Sequence, residues 1–306
     1  MTRKPAIRDE LASLLTEQRN PASMTIDELS IEDALRVINQ EDKKVPFAVE
    51  EEIHHIAQGV SLIIRSIKAG GRLIYVGAGT SGRLGVLDAA ECPPTFGTFP
   101  GQVVGLLAGG DPALKQSIEG AEDDRSTAVS DIDELEVNAK DTVCGIAASR
   151  RTPYVVEAVK RARERGASTI YLTTNPRETF DLEVDVAICP AVGPEIIMGS
   201  TRMKSGTAQK MVLNMLTTTA MIGLGKVYQN MMVDLQLKNE KLVERARRIL
   251  MIAGNVDYDS ATKNLDDAGG HVKTALVMIL SKVSAEEARR RLSAGDGFVR
   301  RAIGRQ

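Results

Sequence analysis

Residues 73–83 read LIYVGAGTSGR, and the fold can be predicted outward from this stretch. An apolar run, Leu73–Val76, passes directly into a turn rich in glycine and hydroxyl side chains. Such a short apolar run is typical of a buried parallel strand, and the glycines are typical of a tight turn into a helix. The free amide hydrogens at the start of that helix favour anions. The stretch therefore predicts a strand, a turn and a helix, with an anion site at the turn.

The same pattern recurs along the next hundred residues. Four more short apolar runs indicate buried strands: Val103–Leu107, Thr142–Ala147, Thr169–Leu172 and Val186–Cys189. Helical patterns separate most of these runs, and a long one, Pro46–Lys68, precedes the first strand. This alternation of strands and helices predicts an α/β fold with a doubly wound parallel sheet.

The chain becomes helical after Gly199. Five helical patterns follow: Ala208–Leu224, Lys226–Ile252, Ser260–Asp266, Lys273–Val283 and Ala285–Leu292. We therefore predict three regions, which are an N-terminal helical segment over residues 1–50, an α/β domain over 51–250 and a small helical C-terminal domain over 251–306.

Charge and hydropathy restrict the classes of partner. Lys and Arg total 39 against 41 Asp and Glu, which gives a net charge of −2. So balanced a chain lacks the concentrated basic surface that nucleic acid or an anionic membrane requires. No apolar run approaches the ~20 residues that span a bilayer, and no apolar signal core follows Arg3 and Lys4. These features predict a cytoplasmic protein without a nucleic-acid or membrane partner.

The cysteines and histidines argue against a metal centre. Three cysteines are scattered without a CxxC pair: Cys92, Cys144 and Cys189. This spacing fits a reducing compartment with neither a disulfide framework nor a zinc site. His54 and His55 are neighbours in a helical pattern and so point to different faces. His271 is the third histidine, and we predict no metal site.

Three loops rich in glycine and hydroxyls are candidates for a phosphate site. They cover residues 77–83, 147–153 and 199–207. Candidate binding residues are Gly79, Thr80 and Ser81 in the first loop, Ser149 and Thr152 in the second, and Ser200, Thr201 and Lys204 in the third. Ligands of open α/β sheets bind at the carboxyl ends of the strands, where these loops would meet. The three loops together favour a phosphosugar pocket.

The first loop also matches the G-x-G-x-x-G motif of dinucleotide-binding folds. However, the second predicted strand runs into Gly109-Gly110, so no acid at its tip is placed to bind a ribose hydroxyl. Thr80 and Ser81 suit a terminal phosphate better than a bridging pyrophosphate. Taken alone, the motif is equally typical of a tight turn without a ligand.

Two acidic segments supply candidates for acid–base chemistry. Glu91 lies at the predicted end of a helix. Cys92 follows it, and then comes the rigid pair Pro93-Pro94. Glu122 lies in the acidic stretch 119–124, after the second strand and its loop. A fixed carboxylate near a phosphate pocket can transfer protons. A capping or solvated acid is the alternative, and for Glu122 taken alone it is the better interpretation.

Read together, long ordered blocks of this chain resemble the N-acetylmuramic acid 6-phosphate etherases of the sugar isomerase (SIS) superfamily. The matching blocks include Thr16-Glu17 with Asn20 and Ser23, residues 26–30, 38–42, 71–85, 88–95, 119–123, 145–155 and 199–213. They cover nearly the whole chain. Arg150 departs from the pattern, because the family usually has a glycine there.

The resemblance implies an SIS-type sandwich that binds no nucleotide or other cofactor and acts as a homodimer, with sites near the subunit interface. It also implies two catalytic glutamates, which fall on Glu91 and Glu122. The implied activity is that of a carbon–oxygen lyase in amino-sugar catabolism and peptidoglycan recycling. It would cleave the D-lactyl ether of N-acetylmuramic acid 6-phosphate by elimination and rehydration, giving N-acetylglucosamine 6-phosphate and D-lactate. We expect Glu91 to be the proton donor and Glu122 the base.

Two other functions stay open on the sequence. One is an aldose–ketose isomerase on the same fold, and the other is a sugar-phosphate sensor without catalysis. Glu195 is a third candidate base, but a structural acid that binds loop amides is the favoured interpretation. His271 would either cover a neighbouring site or act as a plain surface or packing residue, and the second is favoured.

Overall fold

The protein is described by a computed structural model that covers residues 14–237 and 239–304. Residues 1–13 of the predicted N-terminal segment lie outside the described residues. All five predicted strands are present: β1 (Leu73–Gly77), β2 (Val103–Leu107), β3 (Thr142–Ile146), β4 (Ser168–Leu172) and β5 (Val186–Ile188). They form one parallel sheet in the order β2-β1-β3-β4-β5, which confirms the predicted α/β class.

The helices follow the predicted alternation closely. They are α1 (Ile31–Asp42), α2 (Val45–Glu50), α3 (Ile53–Lys68), α4 (Gly79–Phe96), α5 (Pro112–Lys115), α6 (Arg125–Glu134), α7 (Pro153–Glu164), α8 (Lys204–Gly223), α9 (Glu240–Gly254), α10 (Tyr258–Asp267), α11 (Val272–Ser281), α12 (Ala285–Ala294) and α13 (Val299–Ala302). Two short strands, β6 (Val227–Tyr228) and β7 (Met231–Met232), form an antiparallel pair between α8 and α9.

Helices cover both faces of the sheet, which explains why β1 is buried along its whole length. Ile74 and Val76 belong to one core with residues of α6 and α7. Tyr75 points to the opposite face, where its side chain lies against Gly85 of α4. Burial on two sides requires a continuous apolar run rather than an alternating one. The apolar stretch at 73–76 therefore accounts for the burial of this inner strand on both faces.

Three predicted helices have different bounds. The pattern Pro46–Lys68 is interrupted between Glu50 and Ile53. At this break the buried Glu52 carboxylate accepts a hydrogen bond from the Cys189 amide at 2.9 Å. The prediction of a helix from Lys226 was wrong, since β6 and β7 occupy its first part and α9 begins after its cap, Asn239.

The predicted helix end at Glu91 was also wrong. Helix α4 continues through Pro93 and Pro94 to Phe96. Prolines lack an amide hydrogen and usually break a helix, but here the Gly97 amide donates to the Pro93 carbonyl at 3.0 Å and completes the last turn.

The described chain forms two compact units. One comprises residues 14–90 and Gly101–Leu216 and contains the sheet, and the other comprises Glu91–Pro100 with residues 217–237 and 239–304. The boundaries differ from those predicted. Helix α9 belongs to the second unit because Ala246 and Leu250 pack in the same core as Leu276 of α11.

Close backbone contact at the turn between β1 and α4 generates a stability prediction. A Cβ added at Gly82 would lie 2.4 Å from the Leu107 side chain and 2.6 Å from the Gly77 carbonyl oxygen. We expect Gly82→Ala to lower the free energy of unfolding by about 1–3 kcal/mol, as overpacking does. Gly206→Ala is the matched control, since its added Cβ would make only ordinary contacts, with the Thr80 side chain at 3.5 Å and the Thr201 carbonyl oxygen at 3.7 Å. Equal urea-unfolding midpoints for the two variants would contradict this prediction.

Candidate functional site

The first two loops begin side by side at the carboxyl edge of the sheet. Gly77 and Ile146 are paired in the ladder between β1 and β3, so the loops that follow these strands start next to each other. The chain leaves β1 for β2 on one side and returns to β3 on the other. Such a reversal of strand order opens a crevice that binds ligands in α/β proteins.

The third loop meets the first through helix α8. The Ser81 hydroxyl donates a hydrogen bond to Oε1 of Gln209 over 2.9 Å. Gly206, in the first turn of α8, lies next to the Thr80 side chain. The first and third loops are therefore joined, as the phosphate-site prediction requires.

The third loop meets the second through residues that follow β4. The Thr174 hydroxyl lies 2.9 Å from the hydroxyl of Ser205. The Thr174 amide donates to the Ala148 carbonyl at 3.2 Å, and the Asn175 side chain donates to the same oxygen at 2.8 Å. All three predicted loops therefore meet at one edge of the sheet.

A segment that precedes α1 crosses the third loop and holds it in place. The Gly199 amide donates to the Thr16 carbonyl at 3.2 Å, and Ser23 donates to the Ile196 carbonyl at 2.7 Å. The Asn20 side chain donates to the Pro194 carbonyl at 2.9 Å. This structural role accounts for residues that carry the family resemblance near the N-terminus, and no local pattern in the sequence indicates it.

Glu195 caps helix α8. Its fully buried carboxylate accepts hydrogen bonds from the Lys204 amide at 3.0 Å and the Ser205 amide at 2.9 Å. These are free amides of the first helical turn, and a carboxylate is their natural partner. The geometry supports the structural role of Glu195 over that of a base.

Lys204 is held inside the protein. Its ammonium group donates to Glu41 at 2.8 Å and to the Val192 carbonyl at 2.9 Å, and the residue is 1% exposed. Burial by itself would raise the pKa of Glu41, but hydrogen bonds from Lys204, Lys44 and Asn20 outweigh it and hold the pKa at about 2. The Lys204 charge is therefore already compensated, and its predicted contact with the substrate stays a prediction without structural support.

A cavity of about 330 Å³ opens beside the first loop. Its walls include Gly79, Arg83 and the segment 117–122, so it brings the predicted Glu122 together with the phosphate-site candidate Gly79. Arg83 donates to the carbonyls of Ala113 at 2.9 Å and Gln116 at 3.2 Å. It thereby fixes the chain that leads to Glu122. Arg83 was not predicted as a site residue, although it lies in a block that carries the resemblance.

Glu91 and several hydroxyl candidates do not line this cavity. Glu91 is exposed and belongs to the second compact unit, whereas Gly79 belongs to the first. The hydroxyl candidates outside the cavity walls are Thr80, Ser81, Ser149, Thr152, Ser200 and Thr201.

His271 caps the start of α11 in the second unit. Its Nδ1 accepts a hydrogen bond from the Thr274 amide at 3.3 Å, and its Nε2 lies 3.5 Å from the Asp234 carboxylate. This supports a packing role. Within the ranges described, no three His, Cys, Asp or Glu side chains group as metal ligands. None of the described helices combines the length and apolarity that a membrane span needs.

Arg150 has the backbone conformation of a glycine. Its φ is +61°, in the left-handed region, which side chains with a Cβ disfavour. The loop is held there by two contacts, since the Tyr171 hydroxyl donates to the Arg150 carbonyl at 3.0 Å and the guanidinium pairs with Asp181 at 2.6 Å. The left-handed backbone explains why a glycine is usual at this place in the family that the chain resembles.

This backbone conformation can be tested with two variants. We expect Arg150→Gly to be more stable than Arg150→Ala by about 1 kcal/mol, because both lose the Asp181 pair but only alanine keeps an unfavourable Cβ at positive φ. Urea unfolding of the two purified variants measures the difference. Greater stability of the alanine variant would contradict the backbone argument.

Comparison with known proteins places this site in context. Residues 55–163 match the model of the glucokinase regulatory protein N-terminal SIS domain, and residues 124–219 match that of the SIS domain. A protein of Salinibacter ruber named N-acetylmuramic acid 6-phosphate etherase is 60% identical over 296 residues, which cover 96% of this chain and 95% of the relative. A protein of the same name from an Exiguobacterium species is 54% identical over 293 residues, 96% of this chain and 100% of the relative.

A solved structure supports the fold. The crystal structure of a presumed phosphosugar isomerase involved in capsule formation from Bacteroides fragilis aligns with a TM-score of 0.50 at 20% identity. The alignment covers 66% of this chain and 95% of the other. At this level of identity it bears on the SIS fold alone.

Proposed function

This chain belongs to the N-acetylmuramic acid 6-phosphate etherase family, and we propose that it cleaves the D-lactyl ether of that phosphosugar. It is then a carbon–oxygen lyase of amino-sugar recycling. The observation that carries the proposal is the similarity of almost the whole chain to etherases at 60% identity. The cavity that holds Glu122 beside the phosphate-site loop supports it.

Elimination next to a carbonyl solves the chemical problem of a poor leaving group. In the open-chain sugar, the C1 aldehyde acidifies the proton on C2. A base removes that proton, the C3–O bond breaks, and an acid protonates the lactate oxygen as it leaves. Water then adds to C3 of the unsaturated aldehyde and a proton returns to C2. The products are N-acetylglucosamine 6-phosphate and D-lactate, so the balance requires one water and no oxidant.

We assign the base to Glu122 and the acid to Glu91. Glu122 is exposed and lines the cavity next to Gly79, where it can reach a sugar whose phosphate is bound at the first loop. The phosphate would be bound by hydroxyls and amides of the three joined loops: Gly79, Thr80, Ser81, Ser149, Thr152, Ser200 and Thr201. Binding energy from the phosphate, which does not react, positions the sugar for proton transfer.

We further propose a homodimer in which each site takes one glutamate from each subunit. Glu122 lines the cavity beside the first loop, whereas Glu91 does not line it. A second copy related by two-fold symmetry would present its own Glu91. Large apolar side chains on the helices that precede the sheet offer a surface for such pairing. The exposed fractions are 84% for Ile31, 60% for Leu35, 66% for Phe47 and 50% for Ile53.

A cytoplasmic location completes the proposal. Cys92, Cys144 and Cys189 are buried and form no disulfide, and burial raises the pKa of both Cys144 and Cys189. Cysteines that form no disulfide are typical of a reducing compartment. A balanced net charge of −2 gives no support to a nucleic-acid partner.

Variants of the two glutamates test both the chemistry and the shared site. We expect Glu91→Gln and Glu122→Gln each to lower kcat for D-lactate release by about 10²–10⁴, as the loss of a proton-transferring group does. Asp123→Asn is the matched control beside Glu122, and we expect it to keep its activity because Asp123 does not line the cavity.

The two inactive variants should complement each other after unfolding and refolding as a mixture. Random pairing makes half of the dimers mixed, and each mixed dimer has one site with both glutamates, so activity should return to about a quarter of wild type. A mixture that stays inactive although mixed dimers form would contradict the shared site. Unchanged kcat in either variant alone would contradict the catalytic assignment.

A further inference from the structure

The side-chain amide of Gln209 is buried directly behind the first loop. The residue lies in the second turn of α8 and is fully buried. Its Oε1 accepts the hydrogen bond from Ser81, whereas its Nε2 has no hydrogen-bond partner among the described residues. A buried donor without an acceptor is unfavourable and rare. The proposed reaction does not use this amide.

The direction of the hydrogen bond decides what Ser81 can offer a ligand. A serine hydroxyl has one proton and two lone pairs. While that proton is donated to Gln209, Ser81 can only accept a hydrogen bond. A phosphate oxygen is itself an acceptor, so this arrangement gives Ser81 nothing to donate to a phosphosugar.

Rotation of the Gln209 amide by 180° reverses the bond. Oxygen and nitrogen of a glutamine amide occupy nearly equivalent positions, so Nε2 then lies beside the Ser81 oxygen and donates to it. The Ser81 proton becomes free to point at an anion. The unpaired Nε2 gains an acceptor while Oε1 gives up the Ser81 donor, and a chain of two hydrogen bonds, from amide to hydroxyl to phosphate, is complete.

We propose that Gln209 is a positioning residue that turns the Ser81 hydroxyl toward the phosphate of the bound sugar. The inference rests on the proposed function, because it assigns a phosphosugar to this loop. Ser81 lies in the first turn of α4, where free amides and the helix dipole already favour an anion. A Cβ built at Gly206 would lie 3.5 Å from the Thr80 side chain, so the start of α8 lies close to the first loop.

A double-mutant cycle tests this role through binding of the product, N-acetylglucosamine 6-phosphate, measured by calorimetry. We expect Gln209→Met to raise Kd about fivefold or more when Ser81 is present and to leave Kd unchanged in the Ser81→Ala background. A structural role for Gln209 would give the same loss in both backgrounds. In turnover, Gln209→Met should lower kcat/KM when Ser81 is present and leave it unchanged in the Ser81→Ala background, because the bound phosphate also positions the sugar for proton transfer.

A second variant of Gln209 and a control variant in the same helix distinguish a loss of binding from a loss of stability. In Gln209→Glu the ionised carboxylate accepts hydrogen bonds but cannot donate one to Ser81. This variant should therefore weaken product binding more than Gln209→Met does. Asn214→Met removes another amide of α8, one that donates to Asp88 at 2.7 Å, and it should lower stability while Kd stays within about twofold. Thermal unfolding of each variant verifies that it is folded.

The outcomes separate the two proposals. The role of Gln209 alone would be overturned if the wild-type protein releases D-lactate but Gln209→Met raises the Kd for the product by the same factor in both backgrounds. Unchanged Kd in folded Gln209→Met and Gln209→Glu would overturn it too. A wild-type protein that neither binds the product nor releases lactate would overturn the proposed function together with this inference.

Discussion

The close approach of Gly77 and Gly82 is the contact on which the rest of the site depends. A Cβ added at Gly77 would lie 2.6 Å from the Gly82 backbone, so only glycines let α4 start so near the end of β1. Because β1 is the inner strand beside the switch in strand order, the first turn of α4 lies at the crevice of the sheet. The helix N-terminus, Ser81 and the wall of the Glu122 cavity all take their positions from this turn.

Buried polar contacts rather than apolar packing fix the third loop. The Glu195 carboxylate accepts hydrogen bonds from two backbone amides of α8, and the Lys204 ammonium forms an ion pair with Glu41. A buried ion pair contributes little net stability, but removal of one partner leaves an uncompensated charge. Such contacts therefore hold a loop in one conformation. Residues 14–23 add hydrogen bonds from the other side, so the phosphate-site candidates Ser200 and Thr201 lie on a loop that is held at both ends.

Local patterns were enough to predict the sheet, but the site required the tertiary structure. The five strands could be predicted because burial on both faces demands continuous apolar runs, as at 73–76. The strand pair after Lys226 forms through contacts that no local pattern contains. The continuation of α4 through Pro93 and Pro94 depends on an unusual helix end, which no local pattern indicates either. Gln209 was missed for the same reason. A glutamine in an apolar helical pattern gives no sign that a serine 128 residues earlier is its partner.

The most direct test of the elimination mechanism is D-lactate release from N-acetylmuramic acid 6-phosphate in water labelled with oxygen-18. Elimination and rehydration predict unlabelled lactate and one labelled oxygen at C3 of N-acetylglucosamine 6-phosphate, because the C3–O bond breaks and water adds to C3. Label in the lactate, with none at C3, would show cleavage on the lactyl side of the ether and would contradict this mechanism. Absence of lactate from a folded, sugar-phosphate-binding protein would contradict it as well.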